Sequence, residues 1–285
     1  MLLTHAFPDP QLNLTLELLL RIIREELREC LVSVVLHGSV VFDDLAPGYG
    51  DLDFLVIVGG DLPDSTCSKL VGLRKPLRSG KYGVLASMLE GAFLPQSMLD
   101  PAIKGRAFWW GTSGERRWSV NQLSWLVLHV IRERGVVIWG QDIRPRIPPA
   151  PRVAMLGELA DFAANARKHA VGGDIHQVDW LLTAARLLLW LREGRLSSKS
   201  EAADWGCRNA TGRWRELLPK AKELRLYPLM AGSAEVKRWL AGLASPIQEA
   251  ANEVAGELRA QGGPGPGIGK TDGQGRRHHR RPASA

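Results

Sequence analysis

Apolar positions recur at helical spacing over residues 11–29, where Leu14, Leu18, Ile22 and Leu27 are separated by Arg and Glu, so the first expected element is an amphipathic helix. The β-branched run Leu31-Val32-Ser33-Val34-Val35-Leu36 then predicts a strand that ends in a tight turn at His37-Gly38-Ser39. A second strand is expected over residues 52–58, closed by Gly59-Gly60, and a helix over 64–77. Residues 82–94 read as a third strand, 121–134 as a helix, and 136–139 as a short strand after Gly135. Beyond this point the alternation stops. Four prolines lie among the seven residues Pro145 to Pro151, which neither a helix nor a central strand tolerates. After them the pattern is helical throughout, in segments near 153–170, 177–193, 199–208, 211–226 and 233–260, with Gly194 as a helix stop and Ser198 to Glu201 as a capping box. The expected fold is an α+β N-terminal domain with a mixed sheet, residues 1–143, a Pro-rich linker, 144–152, and an all-α helical bundle, 153–260.

Composition modifies this picture at the C-terminus. The chain has 285 residues, 45% apolar and 24% charged, which suits about two globular domains. Its net charge of +7 suggests nucleic acid at first sight. More than half of that excess, however, falls in the Gly/Pro-rich tail 261–285, where Lys270, Arg276, Arg277, Arg280 and Arg281 face only Asp272; this tail is expected to be disordered. Nucleic acid is therefore not expected as a partner. The three cysteines, Cys30, Cys67 and Cys207, are odd in number and widely spaced, which argues against a disulfide framework and for a reducing, cytoplasmic setting. No apolar run reaches the roughly 20 residues that span a bilayer, and no signal peptide is expected.

The candidate chemistry lies in Gly38-Ser39, eleven further residues, and then Asp51-Leu52-Asp53-Phe54. A strand alternates its faces, so Asp51 and Asp53 point the same way. Two adjacent carboxylates repel unless a cation sits between them, and magnesium with oxygen ligands answers that need while also binding phosphates. Gly38 permits close backbone approach, and Ser39 at the start of a short helical turn can seat a phosphate. Glu90 is the only acidic residue between Asp64 and Asp100 and ends an apolar run. It is either a surface residue at a strand end or a third ligand and general base. His37 is read as packing, and Asp43 and Asp44 as turn residues. All ten tryptophans lie between Trp109 and Trp239; they pack the core, or a few stack on a ligand ring, with Trp109 and Trp110 in a Gly-flanked loop the pair best placed for it. On the helix near 177–193, Asp179, Thr183, Arg186, Trp190 and Glu193 form one polar stripe, read as a solvated face or as a working one. Lys199 at the first position after the Ser198 cap opposes the helix dipole, which a phosphate partner would offset.

The pattern Gly-Ser-x11-Asp-h-Asp-h on strand, turn and strand, with Glu90 on a later strand, resembles the nucleotidyltransferase superfamily that includes DNA polymerase beta. The stretch from Arg186 to Trp190, followed by Lys199-Ser-Glu-Ala-Ala-Asp-Trp205, resembles the helical domain of the streptomycin/spectinomycin adenylyltransferases, so the resemblance spans roughly residues 25–225. It implies an Mg2+-dependent transfer of AMP from ATP to a small-molecule hydroxyl, an aminoglycoside antibiotic among the candidates, with pyrophosphate released. In that reading two Mg2+ ions are held by Asp51, Asp53 and Glu90, with Glu90 as base. Gly38 and Ser39 seat phosphates, and Arg186 and Lys199 reach the ATP phosphates from the helical domain. Trp109, Trp110, Asp174, His176 and Asp179 are the candidates for the acceptor. ATP and the acceptor are the expected partners, and the expected state is a monomer. Transfer to a protein or an RNA end, or nucleotide binding without catalysis, are the alternatives.

Overall fold

The computed structural model describes residues 2–111 and 114–263; the greater part of the basic tail lies outside them. The chain forms two compact units. Among the described residues, one holds the chain up to Val41 and Gly50–Pro149; the other holds Phe42–Tyr49 and residues 150–263. The second unit is therefore discontinuous in sequence, since an eight-residue loop that follows the first strand belongs to it.

The first unit is a six-stranded mixed sheet with helices. Its strands are β1 (Leu31–Leu36), β2 (Leu52–Val58), β3 (Leu89–Pro95), β4 (Lys104–Gly111), β5 (Gly114–Val120) and β6 (Val136–Gly140). Their spatial order is β5-β4-β3-β2-β1-β6; β2 and β3 are parallel and the other neighbours antiparallel. The helices are α1 (Pro10–Leu27), α2 (Asp64–Leu77), the single turn α3 (Val84–Ser87) and α4 (Trp125–Arg134). Asp9 caps α1 by accepting from the Gln11 backbone N–H, and Ser124 caps α4 by accepting from that of Val127.

Three expectations need correction. The buried stripe of α1 runs through Leu12, Leu16, Leu19, Leu20, Ile23 and Leu27, whereas Leu14 is 59% exposed. Nearly every apolar residue of that helix repeats at three or four, so two faces compete on spacing, and the sheet buries the wider one. The third strand is shorter than expected, because Gly83 at φ +92 opens the turn α3 before Leu89 starts β3. Finally, the segment read as a loop around Trp109 and Trp110 is strand β4, paired with β5. Gly111 and Gly114 are opposed at the end of that pair, which resembles a loop by composition alone.

The sheet is covered on both faces. On one, Phe54, Phe93, Phe108 and Trp110 form an aromatic cluster, with Phe93 and Phe108 stacked at 4.4 Å. On the other, Val35, Leu55, Ile57, Ala92, Leu94 and Trp109 pack with Leu128 and Ile131 of α4 and with Ile143 and Ile147. The last two flank the 3-10 turn Arg144–Arg146, so the Pro-rich stretch is anchored to this core before the chain leaves the unit.

The second unit is helical: α5 (Arg152–His169), α6 (Val178–Glu193), α7 (Lys199–Asn209), α8 (Leu218–Leu226), α9 (Ala234–Ala241) and α10 (Ala244–Ala260). Apolar α6 is the axis, with Leu181, Leu182, Ala185, Leu188 and Leu189 fully buried; α7, α8 and α10 pack against it, and α5 packs against α10. Gly194 ends α6 in the left-handed region at φ +69, and the Ser198 hydroxyl accepts from the Glu201 backbone N–H to start α7. The Glu201 carboxylate pairs with Arg195. The expected long helix over 233–260 is two helices, parted at Gly242-Leu243. Among the described residues no helix is long and apolar enough to cross a membrane, and all three cysteines are free.

Candidate active site

In the sheet unit the site is a row of residues across four strands. Asp53 of β2 and Glu90 of β3 are register partners on parallel strands, so their carboxylates leave the sheet on the same face. Both are half-buried, while the remaining residues of β2 and β3 are buried. Two glycines make room for these acids. A Cβ at Gly38, which sits at φ +70, would collide with the Asp53 carboxylate, and one at Gly111 would collide with that of Glu90. Below this row lies the next one on the same face, Val35, Leu55, Ala92 and Trp109, which is apolar. The half-buried carboxylates thus stand at the rim of an apolar core.

Gly38 and Ser39 begin the 3-10 turn Gly38–Phe42, one residue after β1. Asp51 immediately precedes β2. Among the described residues no group of three or more His, Cys, Asp or Glu side chains is arranged so as to hold a metal ion. The Asp53–Glu90 pair nevertheless suits a hard cation, since both donors are carboxylate oxygens on one face of adjacent strands.

His37, beside this row, is buried, and its backbone N–H donates to the Asp53 carbonyl at 3.1 Å. Burial lowers its pKa to about 4, a hydrogen bond with the Phe54 backbone opposing the shift, so the ring is neutral and serves as packing. Trp109 and Trp110 are 8% and 1% exposed and point to opposite faces of β4, so they cannot clasp one ligand as a pair. The Trp109 ring is covered by the Arg116 guanidinium at 4.6 Å.

The helical unit gathers a second group. The Lys199 ammonium pairs with Asp179 Oδ1 at 2.5 Å. The buried Tyr49 hydroxyl faces the same carboxylate, and the His176 ring lies 4.9 Å from the Tyr49 ring. Asp174 accepts from the His176 backbone N–H at 2.7 Å. Burial alone would push the Asp179 carboxyl up, but the Lys199 charge, aided by His176 and Tyr49, holds it below the ordinary carboxylate value. Burial, and next the charge on Asp179, raise the Tyr49 phenol well above its usual value. The expected acceptor residues Asp174, His176 and Asp179 and the expected phosphate contact Lys199 are thus neighbours. The dipole cost of Lys199 is offset here by Asp179. Arg186, also on α6, is half-buried on the expected polar stripe.

Sequence reasoning missed a third group. Asp44, read as a turn residue, is buried, and Arg225 pairs with it at 3.1 Å, the two side chains 7% and 3% exposed. A signal for Arg225 existed: it lies seven residues after Leu218 and four after Ala221, on the buried face of α8.

Comparison with known proteins follows this division. Residues 147–254 match the family model for the aminoglycoside adenylyltransferase C-terminal domain. Among solved structures it is similar to the spectinomycin adenyltransferase AAD(9) of Enterococcus faecialis, crystallised with ATP and spectinomycin. The TM-score is 0.64 at 18% identity, over 85% of this chain and 98% of that one. No curated protein matches by sequence.

Proposed function

We propose that the protein transfers AMP from ATP to a hydroxyl of a small molecule, in the first place an antibiotic of the spectinomycin kind, and releases pyrophosphate. The observation that carries this reading is the register pairing of Asp53 with Glu90 beside the Gly38-Ser39 turn, on a fold shared with an adenyltransferase. Asp51, Asp53 and Glu90 would hold Mg2+, which when bound supplies charge neutralisation for the triphosphate. Glu90 takes the proton from the acceptor hydroxyl as its oxygen attacks the α-phosphorus and the bond to pyrophosphate breaks. Gly38 and Ser39 hold phosphate oxygens, the first by its exposed backbone and the second by its hydroxyl. Arg186 and Lys199 are assigned to phosphate charge. Asp174, His176 and Asp179 are assigned to an acceptor bearing amines, since two carboxylates lie together there. We read the protein as acting in the cytoplasm as a monomer.

The test is pyrophosphate release and product mass with Mg2+, each nucleoside triphosphate, and a panel of aminoglycosides that includes spectinomycin. Asp53→Ala should lower turnover on the order of a thousandfold and leave thermal unfolding unchanged. Undiminished turnover in that variant would remove Asp53 from the metal site. Labelling of protein or RNA in place of any small molecule would move the substrate class.

A further inference from the structure

The loop Phe42–Tyr49 belongs to the helical unit, while Ser39 before it and Asp51 after it belong to the sheet unit. It is held at both ends. At Asp44, Ser200 donates to the carboxylate from its hydroxyl at 2.5 Å and from its backbone N–H at 3.2 Å. Arg225 pairs with the same carboxylate and also donates from Nη2 to the Asp44 backbone carbonyl at 2.5 Å. At the other end the Tyr49 side chain is buried beside Asp179 and His176. Between the two grips Gly48 turns at φ +79. The neighbouring Asp43 sits at φ +54, a left-handed conformation that is strained for a non-glycine residue and persists only where its surroundings impose it. A buried ion pair is a weak device for stability, because well-packed apolar residues commonly serve as well or better. Its presence in a short loop between two candidate site segments calls for a different account.

We infer that Asp44 is a positioning residue: clamped by Arg225 and Ser200, it holds the loop so that the Gly38-Ser39 turn and Asp51, which flank that loop, keep their working placement. The inference rests on the proposed function for its catalytic consequence, and on the clamp geometry alone for its structural one. The Gly38–Phe42 turn ends two residues before Asp44, and Asp51 follows Tyr49 by two. A displacement at either grip therefore has little chain over which to relax. Ser200 touches none of the reacting groups and is the gentlest point at which to loosen the clamp.

The experiment uses the full-length chain. Backbone hydrogen exchange over residues 38–53 is followed together with pyrophosphate release on ATP, Mg2+ and spectinomycin. Loss of one hydroxyl bond to a buried carboxylate should speed exchange in this segment about tenfold in Ser200→Ala. The kcat should fall by a similar factor, with KM for ATP unchanged, at temperatures well below unfolding. Ser200→Thr, which keeps the hydroxyl, should restore both. Unchanged exchange in Ser200→Ala overturns the inference, as does faster exchange with an unchanged kcat. Asp44→Asn leaves Arg225 buried without a counter-charge and can fail to fold for that reason. The double variant Asp44→Asn/Arg225→Met removes this problem, and a folded double variant with wild-type exchange and kcat also overturns the inference. If the wild-type protein releases no pyrophosphate with any acceptor, the proposed function falls, and the clamp is then judged by exchange alone.

Discussion

His37 illustrates how burial decides the role of a residue that sequence leaves ambiguous. Its imidazole lies beside the carboxylate row, yet desolvation holds the folded-state pKa at about 4 against an ordinary 6.5. The sign of the linkage follows from the lowered value: between these limits the unfolded chain binds a proton that the folded one refuses. The contribution of His37 is complete above about pH 6.5 and is lost as pH falls towards 4. It amounts to roughly 3 kcal/mol at 1.36 kcal/mol per unit. His37→Gln should flatten the rise in urea midpoint between pH 4 and 7; a slope equal to that of the wild type would show that another group titrates there. Asp53 and Glu90 were each conspicuous in the sequence because carboxylates in apolar strands are costly. Spacing, however, paired Asp53 with Asp51, and the register that sets Asp53 beside Glu90 is a product of strand pairing. The glycine beneath Glu90 was not conspicuous, because Gly111 meets Glu90 only through strand pairing between β3 and β4.

At the scale of elements, two glutamates one turn apart on α10 secure the 3-10 turn Arg213–Leu217. Glu249 accepts from the backbone N–H groups of Arg213 and Trp214, both at 3.1 Å. Glu253 accepts from the N–H groups of Thr211 and Gly212 and from Trp214 Nε1, at 2.9, 3.1 and 2.9 Å, and pairs with Arg192 at 3.2 Å. Burial opposes the charge of Glu253, but these donors hold its carboxyl below the usual value. Removing the carboxylate strands several donors around the fully buried Trp214, so Glu253→Ala should cost on the order of 3 kcal/mol, read as a lower urea midpoint. A change under about 0.5 kcal/mol would mean that water replaces the carboxylate without loss. None of this was visible in the sequence. Trp214 lies 35 residues from Glu249, and helical spacing reports which face of a helix is apolar but not what that face touches.

For the molecule as a whole, the discontinuity of the helical unit is the main organising fact. The family match begins at residue 147, but buried Arg225 and half-buried Asp179 of this unit face partners contributed by residues 44 and 49 respectively. A fragment from Ala150 onward should therefore fold less stably than the same helices within the full chain. The deficit should approach the roughly 3–5 kcal/mol expected when one partner of a buried ion pair is removed. Equal urea midpoints for fragment and full chain would show that the loop is dispensable to the bundle. The net basic charge, which first suggested nucleic acid, belongs in good part to the tail.

Periodicity determined the alternation of strands and helices, the change to an all-helical second half, the helix stop at Gly194 and the cap at Ser198. These rest on interactions within a few residues, which a linear pattern records. Of the motif from Gly38 to Asp53, the strand pattern placed Asp53 on β2, whereas Asp51 lies just before that strand and its direction does not follow from alternation. Tertiary structure alone decided which stripe of α1 is buried, that Trp109 and Trp110 lie on a strand, and that Asp44 is clamped by Arg225 across 181 residues of chain. In each case several local solutions were nearly equal in free energy. The choice fell to desolvation and to the pairing of groups distant in sequence, and such pairing exists only once the chain has folded.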